Sequence, residues 1–269
     1  SVHSAELVAK KIGASWGTLI LALAVTIVEV ALILGLMKLK TPGAATIARD
    51  TVFSSLMILT NGVIGACAII GGIRYRELTF QTLGTSALLA VLVVLSTLTL
   101  VLPNYTTSSL GPTYTPGQLA FVSVSGLVVY ALLILSQTRW LRGHFNSEQT
   151  PARSDIPSSR LGMSILTLLV SLVCVVGFSK MLSPSIQELV DFFGAPRSIT
   201  GIIIAVLVLA PETLSAINSA KMNQLQESLN LALGSGVASI ALTIPAISAF
   251  SIYNQEGLVL GIDHKSIIF

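Results

Sequence analysis

Residues 206–214 read VLVLAPETL. A run of aliphatic residues leads here into a proline and a glutamate, and Glu212 is the only charged residue between positions 199 and 217. An apolar segment of about 20 residues is long enough to cross a bilayer as a helix. A carboxylate at the centre of such a helix costs roughly 2.5–3.5 kcal/mol on insertion scales, so Glu212 predicts a functional site inside a membrane span.

The composition of the whole chain indicates a membrane protein. Its 269 residues are 53% hydrophobic and 10% charged, and the mean hydropathy is +0.85. Soluble domains carry about 25% charged residues. We therefore predict an all-α polytopic protein that lies in the lipid bilayer. The predicted spans are 15–37, 51–72, 82–102, 117–136, 161–181, 198–219 and 228–251, followed by an eighth that begins near Gly257.

The ends of the chain and its cysteines support two smaller expectations. The sequence begins without a start methionine and its last apolar stretch runs to Phe269, so we expect it to be part of a longer protein. Cys67 and Cys174 both lie inside predicted spans, where we expect small apolar fillers instead of a disulfide or a metal cluster.

The distribution of basic residues predicts the orientation. If the spans alternate in direction, one side of the membrane holds nine lysines and arginines and the other holds five. The positive-inside rule then places residues 1–14 and 137–160 in the cytoplasm. The uncharged loop 103–116 falls on the opposite side. The net charge of +3 is weak evidence for a polyanionic partner, and we predict no nucleic-acid binding.

Three blocks of sequence occur twice in the same order. SAELVAKKIGA at 4–14 resembles SIQELVDFFGA at 185–195, and LAVTIVEVAL resembles LVLAPETLSA. LTNGVIGA at 59–66 resembles LGSGVASI at 233–240. The two glutamate-bearing spans are the first and the sixth, so alternating crossings make them run in opposite directions. This is the pattern of inverted-topology repeats, whose substrate site lies near the midplane where the repeats meet.

The repeat also predicts how the chain is divided. We expect a first repeat over residues 1–136, a linker over 137–160 and a second repeat over 161–269.

Glu29 and Glu212 occupy matching positions in the two repeats. Apart from the span ends, the predicted spans contain no lysine or arginine, so protons or a bound cation must neutralise these carboxylates. We predict that both glutamates are metal ligands. Four residues are predicted to support this cation and proton site: Thr26, Pro211, Asn61 and Ser235.

The supporting residues are chosen for the oxygens that they bring near the glutamates. Thr26 lies on the same helical face as Glu29, and a helix broken at Pro211 would free backbone carbonyls. Calcium takes 6–8 oxygen ligands, and no histidine lies in a predicted span, which disfavours softer metals. We therefore expect Ca²⁺ and protons as transported substrates, with no cofactor.

Charge balance predicts exchange between these substrates. Burial and mutual repulsion both disfavour two ionised carboxylates, so the empty charged site is avoided and one cation is coupled to protons, plausibly two. A monovalent cation/proton antiporter is the main alternative, and a cation channel is another. An enzyme is not expected, because no paired aspartates, Ser/His pair or metal-binding histidine motif lies in the spans.

A family resemblance adds to these predictions. KKIGASWGTLILALAVTIVEVALIL, RDTVFSSLMILTNGVIGACAIIGG and VLAPETLSAINSAKMNQLQESLNLALGSGVASIALTIP resemble the ChaA type of calcium/proton antiporter, in the CAX branch of the calcium/cation antiporter superfamily. The resemblance implies two inverted repeats of five helices, ten to eleven helices in all. It implies that acidic residues matching Glu29 and Glu212 bind calcium and exchange it for protons.

The resemblance also implies a location and some differences. It suggests a prokaryotic inner membrane, a possible homo-oligomer, one helix before Ser1 and one or two after Phe269. The sequence VTIVE stands where related exchangers carry Gly-Asn-Ala/Thr-Glu, and Ala238 stands where many members have glutamine. Some ChaA-type proteins are associated with sodium or potassium exchange, so the choice of cation stays open.

Overall fold

The computed structural model of the chain describes residues 14–38, 43–109, 111–137, 184–196 and 198–263, with a few residues in 170–182 and residue 266. The predicted block at 4–14, nearly all of the linker and most of the span at 161–181 lie outside the described residues.

Helices dominate the described part of the chain. Five of them are long and apolar enough to cross a membrane. A sixth helix, the first in the chain, contains the shorter apolar stretch Leu23–Met37. These helices confirm the spans predicted at 15–37, 51–72, 82–102, 117–136, 198–219 and 228–251. The helices are α1 (Ala14–Met37), α2 (Ala44–Tyr75), α3 (Thr82–Tyr105), α4 (Pro116–Leu135), α5 (184–192), α6 (Ser198–Lys221) and α7 (Leu225–Asn254).

Two features of α4 explain where it begins. Pro116 is the first helical residue, where its missing N–H costs nothing. The backbone N–H of Gln118 donates to the Thr115 hydroxyl at 3.4 Å, and the N–H of Thr115 donates to Gln118 Oε1 at 3.0 Å. This reciprocal capping box satisfies donors that the helix itself leaves unpaired.

The chain folds as two inverted-topology repeats. A Cβ atom on Gly201 of α6 would meet the backbone of Asp50 on α2, and one on Gly71 of α2 would lie 3.7 Å from the Ala220 carbonyl of α6. The helices α2 and α6 therefore run in the same direction. A three-residue turn joins α6 to α7, which makes α7 antiparallel to both. Since α2 and α7 carry matching sequence blocks, the two repeats run in opposite directions.

The predicted eighth helix does not begin near Gly257. Residues 257–263, which we call the outer extended segment, form an extended chain with an isolated bridge between Val259 and Thr113. Its N–H groups donate to carbonyls of the first repeat, as when Ile262 donates to Leu100 at 3.0 Å. The Asn104 amide donates to the Ile262 carbonyl at 2.6 Å. Because the first repeat supplies these partners, the segment needs no helical hydrogen bonds.

The same segment completes the core at one end of the bundle, here called the outer end, which also carries residues 102–116. Leu258, Leu260 and Ile262 alternate along the outer extended segment and are buried. They belong to one apolar cluster with Ile33 and Leu36, which follow Glu29 along α1. Apolar side chains therefore fill the space between Glu29 and the outer end.

Candidate cation site

Glu29 lies in the middle of α1, and its side chain is only 2% exposed. The Ser239 hydroxyl lies 2.8 Å from Glu29 Oε1 and 2.9 Å from Oε2, so its single proton is shared between the two oxygens. The Thr243 hydroxyl donates to Oε2 at 2.8 Å. Two hydroxyl donors from the second repeat thus hold the carboxylate of the first.

A local change of helix geometry places both hydroxyls against Glu29. Residues Ser239–Thr243 form a π-helical stretch inside α7. Such wider turns are rare and often occur at functional sites. Ser239 and Thr243 are not among the site residues predicted from the sequence. The sequence does contain a signal for them: Ser235, Ser239 and Thr243 are spaced four residues apart, which places their hydroxyls on one face of a helix.

Glu212 lies on α6 and is also buried, with 7% of its side chain exposed. Its Oε2 atom has no hydrogen-bond partner among the described residues. The carboxylates of Glu29 and Glu212 are close enough to interact electrostatically. The structure therefore brings the two predicted acidic residues together inside the protein.

The face of α6 that carries Glu212 packs against the first repeat. Leu209 and Ala216, on the same face of α6, pack in one cluster with Leu59 and Val63 of α2. Leu59 and Val63 belong to a second π-helical stretch, Ile58–Val63. Each glutamate therefore lies at the level of a π-helical stretch in the opposite repeat.

The two halves of the site differ in polarity. In the repeat alignment, the counterpart of Ser239 is Gly65, which has no side chain. A Cβ atom on Gly65 would find no other atom within 4 Å. Glu29 consequently has hydroxyl partners, whereas the matching position offers Glu212 none.

The other predicted site residues lie in different surroundings. Thr26 is buried on α1, one turn before Glu29. Ser235 is half-buried on α7, one turn before Ser239. Asn61 is exposed, and its amide group donates to the Met57 carbonyl of its own helix at 3.4 Å. The site roles of these residues stay predictions.

The predicted helix break at Pro211 is wrong. The helix α6 continues from Ser198 to Lys221 with Pro211 inside it. Proline has no N–H to donate to the carbonyl of Leu207, one turn earlier. Membrane helices tolerate such a gap because surrounding protein groups can adjust to it.

Among the described residues, no lysine or arginine forms an ion pair with either glutamate. Within the described residues, an ion pair joins Arg49 to Asp50 at 2.8 Å, near the outer end of α2 and away from the two glutamates. Four carboxylate oxygens and the hydroxyls of Ser239 and Thr243 form a donor set of hard oxygen ligands, which suits cations such as Ca²⁺. Cys67 and Cys174 are free, with Cys67 buried as predicted and Cys174 exposed.

Comparisons with known proteins match nearly the whole chain. The sequence profile of the family described as "Sodium/calcium exchanger protein" matches residues 2–139 and 163–269. A "Putative ionic transporter y4hA" from Sinorhizobium fredii is 39% identical over 272 residues, which cover 100% of this chain and 74% of the relative.

Two further similarities concern a transporter and a solved fold. The "Sodium-potassium/proton antiporter ChaA" of Escherichia coli is 31% identical over 269 residues, covering 97% of this chain and 72% of that protein. The crystal structure of the "H+/Ca2+ Exchanger CAX" superposes with a TM-score of 0.69 at 15% identity. That match covers 98% of this chain and 68% of the other. At this identity the structural likeness concerns the fold alone.

Proposed function

The chain belongs to the sodium/calcium exchanger protein family, and we propose that it is an antiporter that exchanges Ca²⁺ for protons. The observation that carries the proposal is the pair of buried, interacting carboxylates of Glu29 and Glu212. Among the described residues, neither has a lysine or arginine partner. Cation/proton antiport by an integral membrane protein also agrees with the relatives named above.

Charge balance explains how such a site couples two ions. Two ionised carboxylates in a medium of low dielectric repel each other and lose their hydration, so the empty charged site is costly. A divalent cation neutralises the pair, and so do two protons. The carrier therefore crosses between its two orientations loaded with one or with the other.

Glu29 and Glu212 have different roles in this exchange, because their hydrogen-bond partners differ. The hydroxyls of Ser239 and Thr243 donate to Glu29, which favours its ionised, ligand form. One oxygen of Glu212 has no hydrogen-bond partner in the described ranges, which leaves it able to take a cation or a proton. Motion of α1 and α6 relative to the other helices would expose the site to each side in turn.

A monovalent cation/proton antiporter is the second candidate. The 31% identity with a sodium-potassium/proton antiporter favours it. The donor set favours Ca²⁺, since two carboxylates balance a divalent charge, whereas a monovalent ion leaves one negative charge buried. Both candidates use the same two glutamates.

Transport into proteoliposomes tests the proposal. We expect full-length wild type in proteoliposomes with an acidic lumen to take up labelled Ca²⁺ while protons leave the lumen down their gradient. Glu29→Gln and Glu212→Gln should each abolish this uptake. Glu77→Gln removes the same charge from an exposed residue between α2 and α3 and should transport normally.

Proton movement measured with Na⁺, K⁺ or Ca²⁺ as the exchanged cation distinguishes the two candidate functions. If Na⁺ or K⁺ drives proton movement and Ca²⁺ does not, the protein is a monovalent cation/proton antiporter. If Glu29→Gln and Glu212→Gln both keep the wild-type rate, the two-carboxylate mechanism is wrong.

The proposed location follows from the relatives and the charges. Both sequence relatives are bacterial proteins, which supports a bacterial inner membrane. The cytoplasmic placement of residues 1–14 and 137–160 stays a prediction from the positive-inside rule.

A further inference from the structure

Several hydroxyl groups inside the described spans bond to their own helix. In four cases the hydroxyl donates to the carbonyl four residues earlier at 2.7 Å, which is the common way to satisfy serine and threonine in a helix. These residues are Thr60, Ser96, Thr99 and Ser123. Ser239 and Thr243 differ, because they turn to Glu29.

Thr51 and Ser55 on α2 follow neither pattern. Their side chains are 0% and 1% exposed, yet neither hydroxyl has a hydrogen-bond partner within the part of the chain that the structure describes. They are four residues apart and therefore share one face of the helix. A buried hydroxyl without a partner lowers stability, so two of them in succession require an explanation.

Thr51 and Ser55 belong to a stretch of α2 that packs against α6. A Cβ atom on Gly201 would come within 2.6 Å of the Asp50 carbonyl carbon and 2.8 Å of the Thr51 nitrogen. The register of the two parallel helices then puts Ser55 opposite Ala205, which is fully buried. We call this stretch of the two helices, with Thr51 and Ser55 on α2 and Gly201 and Ala205 on α6, the α2–α6 seam.

The α2–α6 seam leads from the outer end towards Glu212. Glu212 follows Gly201 by eleven residues, about 16 Å along the helix axis, and follows Ala205 by seven residues, about 10 Å. Its unpaired Oε2 atom marks the inner limit of the seam. At the outer limit, Asp50 is paired with Arg49, which also donates to the Gly261 carbonyl at 3.0 Å.

We propose that the α2–α6 seam is the closed outer access path to the cation site. In the outward-open state α6 moves away from α2, and the cation passes from Asp50 to Glu212. The oxygens of Thr51 and Ser55 replace part of its hydration shell on the way. The proposal rests on the proposed antiport function and adds the route by which the ion reaches the carboxylates.

Thr51 and Ser55 differ from other buried hydroxyls without a described partner because they lie on the α2–α6 seam. The hydroxyls of Thr85 and Ser248 are also buried and have no hydrogen-bond partner among the residues that the structure describes. Thr85 lies in the first turn of α3, at the end of the bundle away from Asp50. It is therefore a suitable control, since it has the same chemistry and lies away from the seam.

Isosteric variants of the full-length chain test the path. Thr51→Val, Ser55→Ala and the double variant remove hydroxyls that have no partner to lose, so thermal stability should be unchanged or higher. In proteoliposomes with the outer face exposed to the ion, the double variant should raise KM for Ca²⁺ by about tenfold. Equilibrium Ca²⁺ binding in detergent should stay the same, because the ligands of the central site are intact. Thr85→Val should match the wild type in both assays.

The outcomes separate this proposal from the proposed function. A wild type that shows no cation/proton exchange contradicts the function. A wild type that exchanges normally, with a double variant of unchanged KM, overturns the path.

Accessibility provides a second measurement in case the double variant folds poorly. Ser55→Cys, in a background of Cys67→Ala and Cys174→Ala, should react with a membrane-impermeant thiol reagent applied to the outer face. Labelling should depend on pH or Ca²⁺. No reaction from that face, or reaction from the inner face alone, would overturn the path.

Discussion

Substitution of Ser239 by alanine is the sharpest test of how the site holds its first carboxylate. In the wild type, the Ser239 hydroxyl lies 2.8 and 2.9 Å from the two oxygens of Glu29. The alanine variant removes this donor and leaves Thr243 at 2.8 Å. The change deletes one oxygen atom and leaves the two glutamates and the apolar core in place.

The size of the effect follows from counting protons. A serine hydroxyl has one proton, so the two distances represent one charge-assisted hydrogen bond, which contributes about 1.5–3 kcal/mol. Each 1.4 kcal/mol is roughly a tenfold change in an equilibrium constant. We therefore expect Ca²⁺ to bind about tenfold to a hundredfold more weakly near neutral pH.

The pH dependence has a definite sign. The hydroxyl donates to the ionised carboxylate, which is also the form that binds the cation. Without it, protons compete more successfully, and the pH at which half the sites are loaded with Ca²⁺ rises. The loss should therefore be greatest in acid and should shrink as the pH is raised.

Isothermal titration of purified protein at several pH values measures this effect. The control is Ser123→Ala, because Ser123 is equally buried but donates only to the Leu119 carbonyl of its own helix. It should bind Ca²⁺ like the wild type. If Ser239→Ala binds with wild-type affinity at every pH, the hydroxyl does not support the ligand form of Glu29 and the reasoning is refuted.

Three predictions concern packing and helix ends. Gly201→Ala should cost about 1–3 kcal/mol, because its Cβ would lie 2.6 Å from the Asp50 backbone, and an unchanged thermal midpoint would contradict this. Arg49→Met should cost about 1–3 kcal/mol by leaving the Asp50 carboxylate and the Gly261 carbonyl without their donor, measured by denaturation against Arg49→Lys. Thr115→Ala should cost about 1 kcal/mol by removing the α4 cap while Ca²⁺ uptake stays normal, and a loss of uptake would disagree with a purely structural role.

The asymmetry between the two glutamates has a consequence for both candidate ions. Two hydroxyl donors hold Glu29, whereas one oxygen of Glu212 has no donor among the described side chains and backbone groups. The surroundings of Glu212 are therefore the ones that must change when the site loads. Substitutions around Glu212 should therefore alter ion preference more than substitutions around Glu29.

The hydrophobic pattern was sufficient to predict the six membrane helices at 15–37, 51–72, 82–102, 117–136, 198–219 and 228–251 and the two acidic residues within them. Transfer of a segment into lipid depends mainly on its own composition, so an apolar run and a lone carboxylate within it can be recognised locally. The opposite direction of the repeats also followed from the sequence, because the number of crossings between Glu29 and Glu212 decides it.

Tertiary structure decided which groups surround those acids. Ser239 and Thr243 lie 210 and 214 positions from Glu29, and only the packing of α7 against α1 brings their hydroxyls to it. The outer extended segment is not helical because carbonyls and side chains of the first repeat satisfy its backbone. The helix α6 likewise continues through Pro211. Hydrogen-bond partners and close contacts between helices depend on neighbours that are distant in sequence, and local patterns do not contain that information.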